Sequence, residues 1–392
     1  MKKIRLGIIG IGNMGSAHAK NIKLDKCPDF DITAIADTNK ERLSWAKEQG
    51  YGNNIAYFDD DIAMLDSGLI DACLIAVPHY DHTWLAIECM KRSIHVMLEK
   101  PAGVYTKQVL EMNKVADEHP EVIFGMMFNQ RTSPVYQKLR ELVSSGKYGA
   151  IRRTNWLITT WYRPQAYYNS GGWRATWAGE GGGVLLNQCP HQLDLWQWIC
   201  GMPTKITAHL HYGKWHDIEV EDDVTAYVEY ENGATGVFIS STGDAHGTNR
   251  FEIQMDSAKL VVENDILTVY EYEMSEQQFS KTNTAPFGSM NIEKKVIETP
   301  QKGTGHVGVL NAWADAILRG GDLIADGREG INGLTLSNAM HLSSFINREI
   351  SLPFDDELFY TELMKRVATS QKKKNVTSEF ADTAAVIGST KS

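Results

Sequence analysis

The sequence predicts two architectures in series. An α/β domain built on a parallel, doubly wound sheet comes first, and an α+β domain with a large, mostly antiparallel open sheet follows. Three observations carry this. Short apolar runs alternate with helical periodicity through residue 126. The first run ends in Gly-x-Gly-x-x-Gly at residues 10–15. Beyond residue 150 strand-like runs dominate, two of them flanking Glu231-Asn232-Gly233 as a hairpin turn. A chain of 392 residues also exceeds what one core usually organises.

In chain order, residues 4–9 read as a strand, 16–22 as a helix and 32–36 as a second strand. Glycines immediately after a strand and opening a helix have a physical use. Gly10 makes the tight turn, Gly12 lets backbone approach a pyrophosphate, and Gly15 lets helix and strand pack closely. Ile11, Asn13 and Met14 complete this cradle, and the helix N-terminus offers free N–H groups and a positive dipole end. Asp37 closes the second strand about 20 residues later, where an acid holds a ribose hydroxyl. This is the Rossmann pattern. A carboxylate there repels a 2′-phosphate, so NAD is favoured over NADP, with Arg42 on the following helix leaving dual use open.

The alternation continues with a helix over 40–50, a strand over 69–77, a helix over 83–91, a strand over 94–98, a helix over 106–118 and a strand over 122–126. In such sheets ligands collect beyond the carboxyl ends of the strands. Val77, Pro78 and His82 follow one strand, and Glu99 and Lys100 follow the next, so all five are expected on the cofactor. Lys100 stands between an apolar strand and Pro101, which biases it to an extended backbone. A lysine so held donates to a substrate oxygen and stabilises developing alkoxide charge.

Bulk numbers limit the remaining classes. The composition, 43% apolar and 22% charged, is that of an ordinary globular protein. A net charge of −10, with no basic cluster longer than residues 372–374, argues against nucleic acid and anionic membrane as partners. Five scattered cysteines without a Cys-x-x-Cys pair suggest reduced thiols in the cytoplasm and no metal site. The opening apolar run is short and broken by glycines, so it reads as a strand rather than a signal peptide.

After residue 126 the pattern changes. A helix is expected over 133–145, strands over 151–161, 224–230, 234–240, 251–255, 259–263 and 266–272, and helices over 309–318 and 328–347. Residues 371–392 are polar and expected to hold little structure. Between the first of these strands and Gly181-Gly182-Gly183 lies an aromatic, arginine-bearing stretch with Trp161, Arg163, Tyr168, Trp173 and Arg174. Rings that stack on sugar C–H faces and guanidiniums that donate to hydroxyls suit a hydroxylated ligand. Asn129 and Arg131 are expected there too. Asn187, His191 and Asp194 follow the glycines, with a helix starting near Pro190 that places His191 and Asp194 on one face.

Taken together, GIIGIGNMG at 7–15, Asp37, Glu99-Lys100-Pro101 and GGGVLLNQCPHQLDLW at 181–196 resemble the glucose–fructose oxidoreductase / inositol dehydrogenase / MocA-like (Gfo/Idh/MocA) family, over residues 4–354. The resemblance implies an NAD(P)-dependent oxidoreductase acting on a hydroxyl of a sugar, glycoside or cyclitol. It also implies the nicotinamide at the seam of the two domains and a homodimer or homotetramer formed through the open sheet. By position Lys100 and His191 match the family's catalytic lysine and histidine. The aspartate common four residues before that histidine is Asn187 here, which cannot ionise to stabilise an imidazolium but accepts a hydrogen bond or binds a hydroxyl.

The expected chemistry is reversible transfer of a hydride between a secondary carbinol and nicotinamide. His191 is the base because imidazole titrates near neutrality, Lys100 donates to the same oxygen, Asn187 positions, and Asp194 orients His191 or binds a second hydroxyl. The aromatic loop leans toward a pyranose or glycoside oxidised at C3, with inositol as the competitor. A non-redox enzyme that uses NAD transiently to cleave a glycoside, and a sugar- or NAD-sensing regulator, are the readings from other classes. Domain limits are expected at 1–126, 127–356 and 357–392, the last a partly disordered extension.

Overall fold

A computed structural model describes residues 3–371, 373 and 376. In chain order the first layer is β1 (Ile4–Ile9), α1 (Asn13–Lys23), β2 (Phe30–Ala36), α2 (Lys40–Gln49), β3 (Ala56–Phe58), α3 (Asp61–Leu65), β4 (Ala72–Ile75), α4 (His82–Met90), β5 (His95–Leu98), α5 (Thr106–Glu118) and β6 (Phe124–Met126). These strands form one parallel sheet in the order β3-β2-β1-β4-β5-β6. The order reverses between β1 and β4, which opens a crevice at their carboxyl ends. Leu6, Ile8, Ile9, Leu74 and Ile75 are fully buried, as expected for a sheet covered on both faces.

The second layer begins with α6 (Pro134–Ser144), β7 (Ile151–Ile158), α7 (Gln165–Asn169) and α8 (Pro190–Cys200). It continues through β8 (Lys205–Tyr212), β9 (Glu221–Glu229), β10 (Thr235–Ser241), β11 (Asn249–Met255), β12 (Ala258–Glu263), β13 (Ile266–Tyr272), α9 (Glu276–Thr282) and β14 (Ile292–Ile297). It ends with α10 (Gly305–Arg319), α11 (Gly330–Ile346), β15 (Ile350–Ser351) and α12 (Asp356–Val367). The nine strands run β14-β13-β12-β11-β7-β10-β9-β8-β15. Only the β7–β10 pair is parallel. One face of this sheet is the core. Trp156 stacks on Phe251 at 4.2 Å between ring centroids, and Trp196 of α8 lies against Phe238 at 5.5 Å. The opposite face exposes Leu157 and Tyr227.

Two expected domain limits are corrected by packing. Helix α10 lies late in the chain but completes the first core: Val309, Leu310, Trp313 and Ala314 are buried with Phe30 and Ile32. The Trp313 ring sits 5.3 Å from that of Phe30, and its Nε1 donates to the carbonyl of Ile123 at 3.2 Å. The extension expected from residue 357 also starts as a packed element. Helix α12 buries Phe359 and Leu363, and Asp356 accepts from the Thr106 hydroxyl at the start of α5. The expectation for 371–392 falls outside the described residues except at 371, 373 and 376.

Candidate active site

The cofactor cradle can be tested residue by residue. Gly10 has φ +87°, and a Cβ there would meet the Ala76 carbonyl oxygen at 2.4 Å. A Cβ on Gly15 would meet the Gly10 carbonyl oxygen at 1.9 Å, so that helix–strand approach excludes any side chain. A Cβ on Gly12 would meet nothing within 4 Å, which leaves open space above the α1 N-terminus. No side chain caps that terminus and no acid lies in its first turn, so its N–H groups remain for an anion.

Asp37 ends β2 half-exposed, with Oδ2 accepting from the Ile11 N–H at 2.9 Å and Oδ1 from the Asn39 N–H at 2.8 Å. That fixes the carboxylate beside the cradle. Arg42 is buried, and its Nε donates to the carbonyl of Ile11 at 3.1 Å while its guanidinium lies 4.0 Å over the Trp45 ring. These residues fit a dinucleotide diphosphate with a free ribose hydroxyl.

The reacting end lies where the two layers meet. Lys100, just past β5, sends Nζ across the seam to the backbone carbonyl of Asn187 at 2.9 Å. Burial lowers the ammonium from its ordinary value, while Glu99 and Glu180 pull it back up. The Val184–Gln188 segment makes a single π-helical turn. Glu221 holds that turn, accepting from the N–H of Gly183 at 2.8 Å and of Leu185 at 2.9 Å. Pro190 then starts α8 and places His191 in its first turn.

The His191 ring meets Phe128 edge-on at 6.3 Å, and its Nδ1 is buried with no hydrogen-bond partner among the described residues. Burial, and then the charge of Lys100, push this imidazole down to about 3. The expectation of titration near neutrality is therefore corrected: His191 stays neutral throughout the physiological range. Asn129 Oδ1 and Trp161 Nε1 are likewise buried without partners. Three polar atoms at expected site residues are thus left for hydrogen bonds from outside the described residues.

Asn187 is fully engaged. Its Nδ2 donates to Glu180, and its Oδ1 accepts from the Tyr167 hydroxyl at 3.2 Å. Arg174 donates to the same hydroxyl at 3.0 Å and lies over both the Tyr167 and Trp173 rings. Arg163 lies over Trp161 and Tyr167. Val77 and Pro78 line the end of β4, Val77 Cγ1 standing beside Gly10.

At five expected site residues the side chain is engaged within the protein. Asp194 does not orient His191: its carboxylate is taken by Arg131, Nε to Oδ2 at 2.8 Å and Nη2 to Oδ1 at 2.6 Å. Arg131 also reaches Glu329 at 2.8 Å and is 1% exposed, so it holds elements together rather than a substrate. Tyr168 is buried, its hydroxyl donating to Thr242 at 2.7 Å. His82 is buried with Nδ1 2.6 Å from the Pro101 carbonyl and Nε2 2.9 Å from that of Val77, and the neutral ring donates to one of the two. Glu99 turns inward to His18 Nε2 at 2.7 Å.

Tyr167, Glu180 and His18 carry no motif that marks them in the sequence as site residues. For Glu180 the one local signal is an acid directly before three glycines. Tyr167 differs from its neighbour Tyr168 only by side-chain direction, which helix α7 decides.

Both domains of the chain are similar to known proteins. Residues 4–126 match the oxidoreductase family with an NAD-binding Rossmann fold, and residues 136–261 match the GFO/IDH/MocA C-terminal domain. The chain is 27% identical over 272 residues to myo-inositol 2-dehydrogenase from Thermotoga maritima, covering 67% of this chain and 75% of that one. It is 30% identical over 255 residues to D-glucoside 3-dehydrogenase from Escherichia coli, covering 59% and 68%. Among solved structures, the WlbA dehydrogenase from Bordetella pertussis in complex with NADH and UDP-GlcNAcA superimposes with TM-score 0.75 at 25% identity, over 90% of this chain and all of that one. Among the described residues no helix is long and apolar enough to cross a membrane.

Proposed function

Because the chain belongs to the Gfo/Idh/MocA family of oxidoreductases, we propose that it oxidises a secondary hydroxyl of a carbohydrate with NAD, reversibly. The observation that carries this is the pairing across the seam. The Lys100 ammonium reaches over from β5 to the carbonyl of Asn187, and its charge acts on His191, four residues on, whose Nδ1 has no partner among the described residues. When bound, the nicotinamide supplies the hydride acceptor. His191 takes the hydroxyl proton as the carbinol carbon is oxidised. Lys100 donates to the same oxygen and stabilises it as charge builds. Trp161 and Asn129 offer a donor and an acceptor to further hydroxyls.

The finer reading is a pyranose or glycoside oxidised at C3. The Tyr167 and Trp173 rings, each backed by an arginine, form an aromatic wall suited to a sugar face. The relatedness to a D-glucoside 3-dehydrogenase supports it. We place the enzyme in the cytoplasm as a homodimer or homotetramer, formed through the sheet face that exposes Leu157 and Tyr227. Five free cysteines suit that compartment.

The deciding experiment is an absorbance assay for NADH formation against glucosides, free aldoses and inositols, with product regiochemistry by NMR. Turnover of glycosides with a 3-keto product supports the finer reading. Preference for an inositol rejects it, and no turnover of any polyol rejects the function. Light scattering of the purified protein reads the oligomer.

A further inference from the structure

Three buried acids near the site have structural explanations. Asp194 is paired with Arg131, Glu99 with His18, and Glu221 holds two backbone N–H groups and faces His341 Nε2 at 3.0 Å. Glu180 differs. It is 2% exposed, yet no cation lies within ion-pair distance of it among the described residues. Its Oε2 accepts from the Ala175 N–H at 2.5 Å and its Oε1 from the Asn187 amide. A carboxylate buried without a counter-ion is costly, and this one is spent on a residue whose own carbonyl receives Lys100.

The Glu180 carboxylate sets the hydrogen-bond roles at residue 187. Nδ2 donates to it, and Oδ1 accepts from the Tyr167 hydroxyl at 3.2 Å and Gln188 Nε2 at 3.3 Å. A flipped amide would set its oxygen against a carboxylate. An aspartate at 187 would set two carboxylates in contact, and one would have to hold a proton. Glu180 therefore accounts for the amide at 187, and with Glu99 it is a source of negative charge acting on Lys100. Resting on the dehydrogenase reading above, we propose that Glu180 is a positioning residue for the reaction: through its hydrogen bond to Asn187 it fixes the segment whose carbonyl receives Lys100, and it sets a carboxylate on the residue that holds that ammonium.

Burial pushes the Glu180 carboxyl up while Arg174 pulls it down, and Glu180 in turn raises Lys100. The test uses Glu180→Gln, Asn187→Asp and the double variant. Glu180→Gln is expected to lower kcat about tenfold or more, with KM and NADH affinity little changed. It is also expected to move the midpoint of Lys100 acylation by acetic anhydride, read by mass spectrometry across pH, to lower pH. Asn187→Asp is expected to lose about a hundredfold or more in kcat and to melt earlier as pH rises. The double variant restores one donor and one acceptor, and is expected to regain at least tenfold over Asn187→Asp and to lose that pH-dependent melting.

An unshifted Lys100 acylation midpoint in Glu180→Gln overturns the charge role. A double variant no better than Asn187→Asp in turnover and melting overturns the coupling. The acylation and melting arms need no substrate. A wild-type protein that turns over no polyol therefore rejects the dehydrogenase reading, while these two arms still judge Glu180.

Discussion

Arg131 and Asp194, 63 residues apart, form a two-pronged ion pair in which each side chain is 1% exposed. The pair ties the turn after β6 to α8, the helix that carries His191. Removing Asp194 leaves Arg131 buried with the part-exposed Glu329 as its remaining carboxylate. Asp194→Ala is expected to lower the unfolding free energy by about 2 to 3 kcal/mol, measured by urea denaturation. A stable Asp194→Ala protein with altered pH dependence of turnover would instead return Asp194 to the chemistry.

Among the described residues Lys100 Nζ hydrogen-bonds only the carbonyl of Asn187, so its removal leaves the cradle at residues 10–15 intact. Lys100→Ala should lower kcat by about a thousandfold while NADH affinity, followed by fluorescence titration, changes little. Near-normal turnover would remove it from the reaction.

His191 is pushed down to about 3 by burial and by Lys100. A group lowered in this way is neutral above that value, so the fraction able to accept a proton is constant through the neutral range. kcat/KM for oxidation should show no limb near about 6.5, the ordinary imidazole value. His191→Ala should lower kcat about 10²- to 10⁴-fold. A limb between about 6 and 7 that disappears in His191→Ala would contradict the buried, neutral ring.

Burial raises the Glu99 carboxyl, but the hydrogen bond and charge of His18 outweigh it and bring the group down to about 2. A depressed carboxyl contributes stability that is present above its unfolded value, about 4.3, and is lost as pH falls through the folded one. The stability gap between wild type and Glu99→Gln should approach about 3 kcal/mol near neutrality and close as the pH is lowered toward about 2. A gap independent of pH would mean that the carboxylate charge contributes nothing.

Asp37 accepts from two backbone N–H groups at the rim of the cradle, and a negative charge there opposes a 2′-phosphate. Asp37→Ser should weaken NADH binding about tenfold, the loss expected for one to two hydrogen bonds, and narrow the preference over NADPH. An unchanged preference would place the discrimination elsewhere.

Much of the site was legible because the signals are local. Gly10 and Gly15 act on backbone only a few residues away, and Lys100 and His191 sit at element ends that punctuation marks plainly: Pro101 after one and Pro190 before the other. Partner choice was not legible. Tyr167 and Tyr168 are chemically identical neighbours, and the direction of α7 sends one hydroxyl to Asn187 and the other to Thr242. Asp194 shares a helix with His191, yet Arg131 claims it because α8 packs against the turn that carries Arg131.

The amino-acid sequence by itself determined the two architectures and the glycine turn of the dinucleotide cradle. Alternating apolar runs and glycine spacing are written within a few residues of where they act. Only the tertiary structure decided that α10 belongs to the first core, that His191 is held neutral and that Glu180 lies against Asn187. Those outcomes depend on burial and on contacts between segments far apart in the chain, where the cost of an unpaired polar group selects which neighbours meet.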